Sequence, residues 1–261
     1  MSLFLSSLPI WLSALVVVVT PTVLAMLGSL LVRRTWGLER LVTNNEVAGF
    51  KFAVVGVTYA VLLGFAVIVV WEKFRDAEMA VGAEASAVVA MHRLSFGLSG
   101  TTGDEVRSRV KDYVNVAIAD DWPAMARGKA GILASKALDA LYASVTSAEV
   151  NTPRERLIFS EILTRLDAIT AARRERLLLA TGIVPSVLWP ALLGGALATL
   201  GFTFFFGSQS ARAQVLMTGM LAVVIFMALF VVVAVDHPFT GPVSVGTEIL
   251  RAATETMARG G

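Results

Sequence analysis

The chain has 261 residues, 56% of them hydrophobic and 16% charged, with a formal net charge of +2, no cysteine and a mean hydropathy of +0.73. Soluble domains carry about 25% charged residues, so the shortfall argues against an ordinary soluble domain, and the small net charge gives no electrostatic footprint for nucleic acid. The lack of cysteine excludes disulfides and thiolate metal sites.

The deficit of charge is concentrated in runs. Residues 1–32, 52–71, 177–206 and 213–235 carry no charged side chain, and each exceeds the ~18 residues that mark a membrane-crossing helix. The first run lacks the basic start of a signal peptide and is far longer than a signal peptide's apolar core. Arg33 and Arg34 close it like a stop signal, so a first membrane helix is expected over about 9–32. Pro21, near its middle, removes a backbone donor and predicts a kink, which would serve either a pore or packing. Residues 33–51, with Arg33, Arg34, Arg40 and Lys51, read as a short polar hairpin.

Residues 56–98 organise the rest of the chain. Taking every fourth and third residue gives Gly56, Ala60, Leu63, Val67, Val70, Phe74, Ala77, Val81, Glu84, Val88, Met91, Ser95 and Leu98. This is the spacing of a helix stripe that packs on partner helices. The upper half is apolar enough for a membrane and the lower half is amphipathic, so one helix is expected to leave the bilayer and continue into a helical bundle. Gly56, Ala60 and Gly64 offer small residues for close helix approach in lipid. A second seam reads Thr58, Leu62, Phe65, Val69, Glu72, Asp76, Met79, Ala83, Ser86, Ala90 and Arg93. Repeated around a symmetry axis, its apolar part would form a hydrophobic constriction and its acidic part a charged ring, both known pore elements. The alternative is that Thr58, Leu62, Phe65 and Val69 face lipid or other spans.

Residues 72–180 read as water-compatible helices separated by Gly, Pro and polar clusters. The run 97–103 is a break, with Thr102 and Glu105 placed as a capping box. Asp120-Asp121-Trp122-Pro123 is expected to end the following helix, the two carboxylates being either a solvated turn or an acid pair for a cation. Gly128 and Gly131 mark a turn before a short amphipathic helix. Thr152-Pro153-Arg154-Glu155 reads as a second capping box with Pro at the first helical position. The helix that follows runs through Phe159, Leu163, Leu166, Thr170, Arg173 and Leu177 towards the third apolar run. Glu84 lies on the apolar stripe of the organising helix and Arg173 on that of the returning one. A buried charge needs a partner, so the two are expected to pair, unless Glu84 only edges its stripe.

Pro185 and Pro190 bend the entrance to the third span, 207–212 is a tight turn, and the fourth span ends near Val235. A tail with a helix over 245–257 closes the chain. Four spans would put both termini and 72–180 on one side. Lys and Arg near the span ends number five on one side (Arg33, Arg34, Arg40, Lys51, Arg212) and six on the other (Lys73, Arg75, Arg173, Arg174, Arg176, Arg251), so charge does not choose the orientation. No Walker motif or nucleophilic triad is present. His92 and His237 are too few and too scattered for a metal cluster, and His92 reads as a surface or interface residue.

The chain resembles the bestrophin-like family of bacterial membrane proteins. The residues that carry the resemblance are Val70-Trp71-Glu72-Lys73-Phe74, Ala77, Glu84-Ala85, Tyr113 and Asp121-Trp122-Pro123-Ala124-Met125, then Arg173, Arg176-Leu177, Pro185, Leu188-Trp189, Asp236, Pro238-Phe239 and Gly241. Together they span about 33–245; Asp121 stands where similar members have Glu. The resemblance implies kinship with bestrophins, oligomeric anion channels with a cytosolic helical domain and an apolar neck on the second membrane helix. It implies that 72–180 and both termini are cytoplasmic, and it carries the neck onto Thr58, Leu62, Phe65 and Val69. The acidic cluster of a bestrophin calcium clasp is not found.

The expected architecture is therefore all-α with four spans: a transmembrane hairpin over 1–71, a cytoplasmic helical bundle over 72–180, a second hairpin over 181–235 and a tail over 236–261 containing the motif Asp236, Pro238, Phe239, Gly241. The expected function is a homo-oligomeric ion channel of the bacterial inner membrane, permeable to anions such as chloride, with Glu72 and Asp76 at the pore mouth and no cofactor or metal. Its partners would be the lipid bilayer, inorganic ions and copies of itself, a pentamer being one candidate, and not nucleic acid. The alternatives are a membrane-anchored scaffold or sensor whose bundle binds a protein, and a cation channel drawing on Glu72 and Asp76. No span carries an ionisable residue at its centre, which argues against an intramembrane enzyme.

Overall fold

The computed structural model describes residues 2–43 and 45–259; Met1, Asn44, Gly260 and Gly261, which fall inside expected segments, lie outside the described residues. The described residues are mostly helical, with no strand. In chain order they form α1 (Ser2–Ser7), α2 (Ile10–Ala14), α3 (Thr20–Trp36), α4 (Leu38–Thr43), α5 (Asn45–Leu94), α6 (Gly100–Val116), α7 (Trp122–Met125), α8 (Ile132–Thr146), α9 (Pro153–Leu179), α10 (Leu188–Thr203), α11 (Ala211–Val235) and α12 (Glu248–Arg259).

Two π-helical turns interrupt this series, Leu15–Val19 and Ala117–Asp121. Each ends two residues before a proline, Pro21 and Pro123. A proline inside a helix lacks an N–H and clashes with the carbonyl four residues back; a widened turn at that place absorbs the mismatch without ending the helix. So Pro21 gives a π turn within the continuous stretch Ile10–Trp36. At Pro123 the helical path continues into α7, where the sequence predicted a stop.

The contacts divide the chain into two units, Met1–Glu72 with Ile183–Asp236, and Lys73–Gly182 with His237–Gly261. In the first, α11 packs along α3 and the π turn before it. Close approaches are made at glycines: a Cβ on Gly195 of α10 would run into the Tyr59 ring, and one on Gly28 of α3 would lie 2.8 Å from Phe204 Cε2. Lipid provides no hydrophobic force between helices, so such contact area is what holds them. Ile10–Trp36, Ala48–Gly97 and Ala211–Val235 are long and apolar enough to cross a membrane. The third expected span is shorter. The residues around Pro185 remain non-helical, α10 starts only at Leu188 with Pro190 in its first turn, and it has 16 residues, about 24 Å of rise.

The second unit is a helical bundle whose core includes Val81, Val88 and Met91 of α5, Val106, Val110 and Val114 of α6, Leu141 of α8, Ile162, Leu166 and Ile169 of α9, and Leu250 and Met257 of α12. The capping box at Thr152 forms as read: its hydroxyl accepts from Glu155 N and Glu155 returns to Thr152 N. The one at Thr102 does not, because α6 starts two residues earlier behind Ser99. Glu155 also accepts from Ser99 N at 3.2 Å, so one carboxylate caps α9 and satisfies a donor at the head of α6.

Candidate functional site

The faces of α5 define the candidate site. Leu63, Val70, Ala77, Val81, Glu84, Val88, Met91, Ser95 and Leu98 of the organising stripe are buried. Gly56 is half-buried and Ala60 and Gly64 are exposed, so Tyr59, Leu63, Ala66 and Val70 make the inward face of the upper half. The second seam is the more exposed of the two. Thr58, Glu72, Ala83, Ser86 and Arg93 are exposed, Leu62, Asp76 and Ala90 are half-buried, and Phe65 keeps 64% of its surface. Thr58 Oγ1 donates to Val54 O at 2.8 Å and is satisfied within the helix. Asp76 is paired with Lys73 at 2.8 Å, whereas Glu72 makes no ion pair among the described residues.

On the opposite side of α5, in the second unit, lies a buried network of charge. Glu84 is fully buried and accepts from Arg176 Nε at 2.7 Å and Nη2 at 3.0 Å, and from Tyr113 Oη at 2.5 Å. Asp121, also fully buried, accepts from Arg176 Nη2 at 3.0 Å, from Arg173 Nε at 2.9 Å and Nη2 at 3.1 Å, and from Gly131 N at 2.9 Å. Arg173 reaches Gly131 O and Ser135 Oγ as well, and the Arg176 guanidinium lies 4.6 Å from the centre of the Trp122 ring. Two carboxylates face two guanidiniums, so the cluster is neutral, which is what lets it exist away from water. Burial opposes the charge on Asp121, but the hydrogen bonds and charges of Arg173 and Arg176 outweigh it and hold the carboxyl below its usual range. Burial likewise opposes the charge on Arg176, and Glu84 with Asp121 overcomes it. Burial, then Glu84, pushes the Tyr113 phenol well up, so it stays a donor.

The residues after α11 are equally committed. Asp236 Oδ1 accepts from Ile183 N at 3.1 Å and Val184 N at 2.7 Å, which fixes the chain as it turns towards α10. Val245 N donates to Pro238 O at 2.7 Å, Phe239 is buried edge-on to Trp122, and Gly241 has φ +80°, a conformation L side chains rarely adopt.

The sequence profile of the bestrophin-like domain matches residues 19–250. The chain belongs to the bestrophin-like family. Its fold is similar to those of two point variants of a bacterial bestrophin homolog from Klebsiella pneumoniae, with TM-scores of 0.71 and 0.69 at 13% and 12% identity. The matches cover 92% and 91% of this chain and 98% and 96% of the other. A structure described as a membrane protein variant matches with a TM-score of 0.67 at 12% identity, covering 91% and 96% of the two chains. No curated protein matches. At this identity the likeness is one of fold: an all-helical bestrophin fold, and with its apolar helices a membrane protein.

Within this bestrophin-like fold one expected pairing is exchanged. Glu84 and Arg173 are both buried, but Glu84 binds Arg176 and Arg173 binds Asp121. The reason is helical phase: Arg173 and Arg176 are three residues apart and share a face of α9, so each meets a different carboxylate. Asp121 is neither a solvated turn nor a cation site, and Asp120 accepts from Leu133 N and Ala134 N at the head of α8. His92 is buried, not a surface residue. Tyr113, Asp121 and Arg176, three of the residues that carry the family resemblance, meet in one cluster with Glu84, which their places in the sequence do not reveal. The signal in the sequence is two arginines three residues apart that continue the buried stripe Ile162, Leu166, Ile169 of α9.

Proposed function

We propose that the protein is a homo-oligomeric ion channel of the bacterial inner membrane, permeable to anions, with α5 of each copy around a central pore. Thr58, Leu62, Phe65 and Val69 line the narrow part, and Glu72 and Asp76 stand at its mouth. The first unit crosses the membrane four times, with α10 as the shortest crossing, and residues 73–182 with both termini lie in the cytoplasm. The observation that carries this reading is the outward seam on α5. Its apolar positions alone would suit lipid, but they run on along the same helix to Glu72 and Asp76 at the end of the membrane unit, the order of a hydrophobic constriction followed by a ring of charge. The neutral Glu84–Asp121–Arg173–Arg176 cluster holds the lower half of α5, and Asp236 holds the turn into α10.

The test is ion flux through purified, reconstituted protein. Phe65→Ala removes the largest apolar side chain of the constriction and is expected to raise conductance with the oligomer intact. Unchanged conductance would put Phe65 against lipid or another span. A second reading, cation permeation, is favoured by Glu72, which is exposed and without an ion pair. Under it Glu72→Gln would abolish cation preference; under the anion reading it only strengthens the anion preference already present.

A further inference from the structure

Beyond Asp76 the seam on α5 continues through Met79, Ala83, Ser86 and Ala90, all uncharged, and ends on Arg93 in the last turn of the helix. Arg93 lies three heptads after Glu72, about 30 Å of helical rise along α5. Met79, Ala83, Ser86 and Arg93 are exposed, while Ala77, Val81, Glu84, Val88 and Met91 on the other face are buried. Arg93 makes no ion pair among the described residues. Its neighbour His92 is buried edge-on to Phe96. Burial first, then the charges of Lys111, Arg107 and Arg93, hold the pKa of His92 below the ordinary histidine value. Arg107 is committed, donating to Ser95 O at 3.0 Å, paired with Asp104 and stacked 4.4 Å from the Phe96 ring centre. Lys111, half-buried, has no ion pair among the described residues.

A helix C-terminus favours a cation whatever its function, and that alone would explain one arginine. It does not explain why the charge closes the same outward seam on which Glu72 stands, after a neutral stretch. We infer that Arg93, with Lys111 of α6 as a lesser contributor, is the residue that sets the ion preference of the pore, by enriching anions and depleting cations at this end of the seam. The inference rests on the channel reading. Fixed charge acts over a Debye length, about 8 Å at 0.15 M salt and about 30 Å at 0.01 M. At physiological salt the rings of Glu72 and Arg93 therefore act independently, so the contribution of each is read from its own variant.

The experiment is the reversal potential of reconstituted protein under a potassium chloride gradient. Arg93→Gln is expected to lower the anion-to-cation permeability ratio about threefold, and more at ~0.01 M than at ~0.15 M salt. Lys111→Gln should shift it in the same direction by less, Arg93→Lys should preserve it, and Glu72→Gln should move it the other way. Arg109→Gln, an exposed arginine of α6 off the seam, is the control and should change nothing. Currents with an unchanged reversal potential in Arg93→Gln would overturn the inference and leave the channel reading standing. Absence of current in both the wild type and Phe65→Ala would overturn the two together.

Discussion

Glu84 illustrates how a charge survives inside a helical bundle. Its two oxygens meet two guanidinium nitrogens and a phenol, and removing one partner leaves the others unmatched without access to water. Glu84→Ala and Arg176→Ala are each expected to cost roughly 3–5 kcal/mol of stability, and the double variant less than their sum. The cycle of Glu84 with Arg173 should show much weaker coupling, because the two communicate only through Arg176 and Asp121. A Glu84–Arg173 coupling as large as that of Glu84–Arg176 would contradict the geometry. Acid should weaken the same unit. Glu155 is held down to about 2 by hydrogen bonds from Ser99 and Thr152, and Asp121 lies below its usual range. A depressed carboxyl contributes stability above its unfolded pKa and loses it as pH falls through the folded one. The thermal midpoint should therefore hold above pH ~4.5 and decline between there and pH ~2; a flat midpoint across that window would refute the assignment.

The elements owe their limits to particular residues. The capping box sets the head of α9, and Thr152→Ala should cost about 1 kcal/mol. Glu155→Ala should cost more, since Glu155 also receives the N–H groups of Ser99 and Asn151. Equal losses for the two, measured by thermal or chemical denaturation in detergent, would mean that the link from α9 to the head of α6 contributes nothing. Pro21 and Pro123 each follow a π turn, and the helical path runs past both. At Ala117–Asp121 the extra residue has a consequence, because it turns Asp121 inwards to meet both arginines while Asp120 caps α8.

At the scale of the whole molecule, orientation in the membrane and assembly are read from the exposed surface. The first unit exposes Phe65, Val57, Leu24 and Trp11, an apolar surface that only lipid or further copies can cover. Ser147 and Ser210 are exposed in loops, and the chain has no cysteine of its own. Single Ser147→Cys and Ser210→Cys variants tested with an impermeant maleimide on intact cells should label at 210 and be protected at 147; the reverse pattern would invert the orientation. The mass of the detergent-solubilised protein should exceed that of one chain severalfold, and a monomer would remove the channel reading.

Hydropathy and period were enough to read from the sequence that the chain is helical, that apolar runs alternate with a charged segment, and that α5 has one buried and one outward face. These depend on the burial of apolar surface and on helical repeat, which are written residue by residue. The cap at Thr152 was legible for the same reason: its partners are three residues apart. Which carboxylate meets which guanidinium was not. Glu84, Asp121 and Arg176 are far apart in sequence, and one helical turn on α9 decides between Arg173 and Arg176, so the pairing exists only once the helices are docked. The reach of helices past Pro21 and Pro123 was also hidden, because a π turn is a response to packing on both sides of the proline. The length of α10 was hidden too: an uncharged run shows which residues tolerate lipid, and only the tertiary fold decides how many of them form helix.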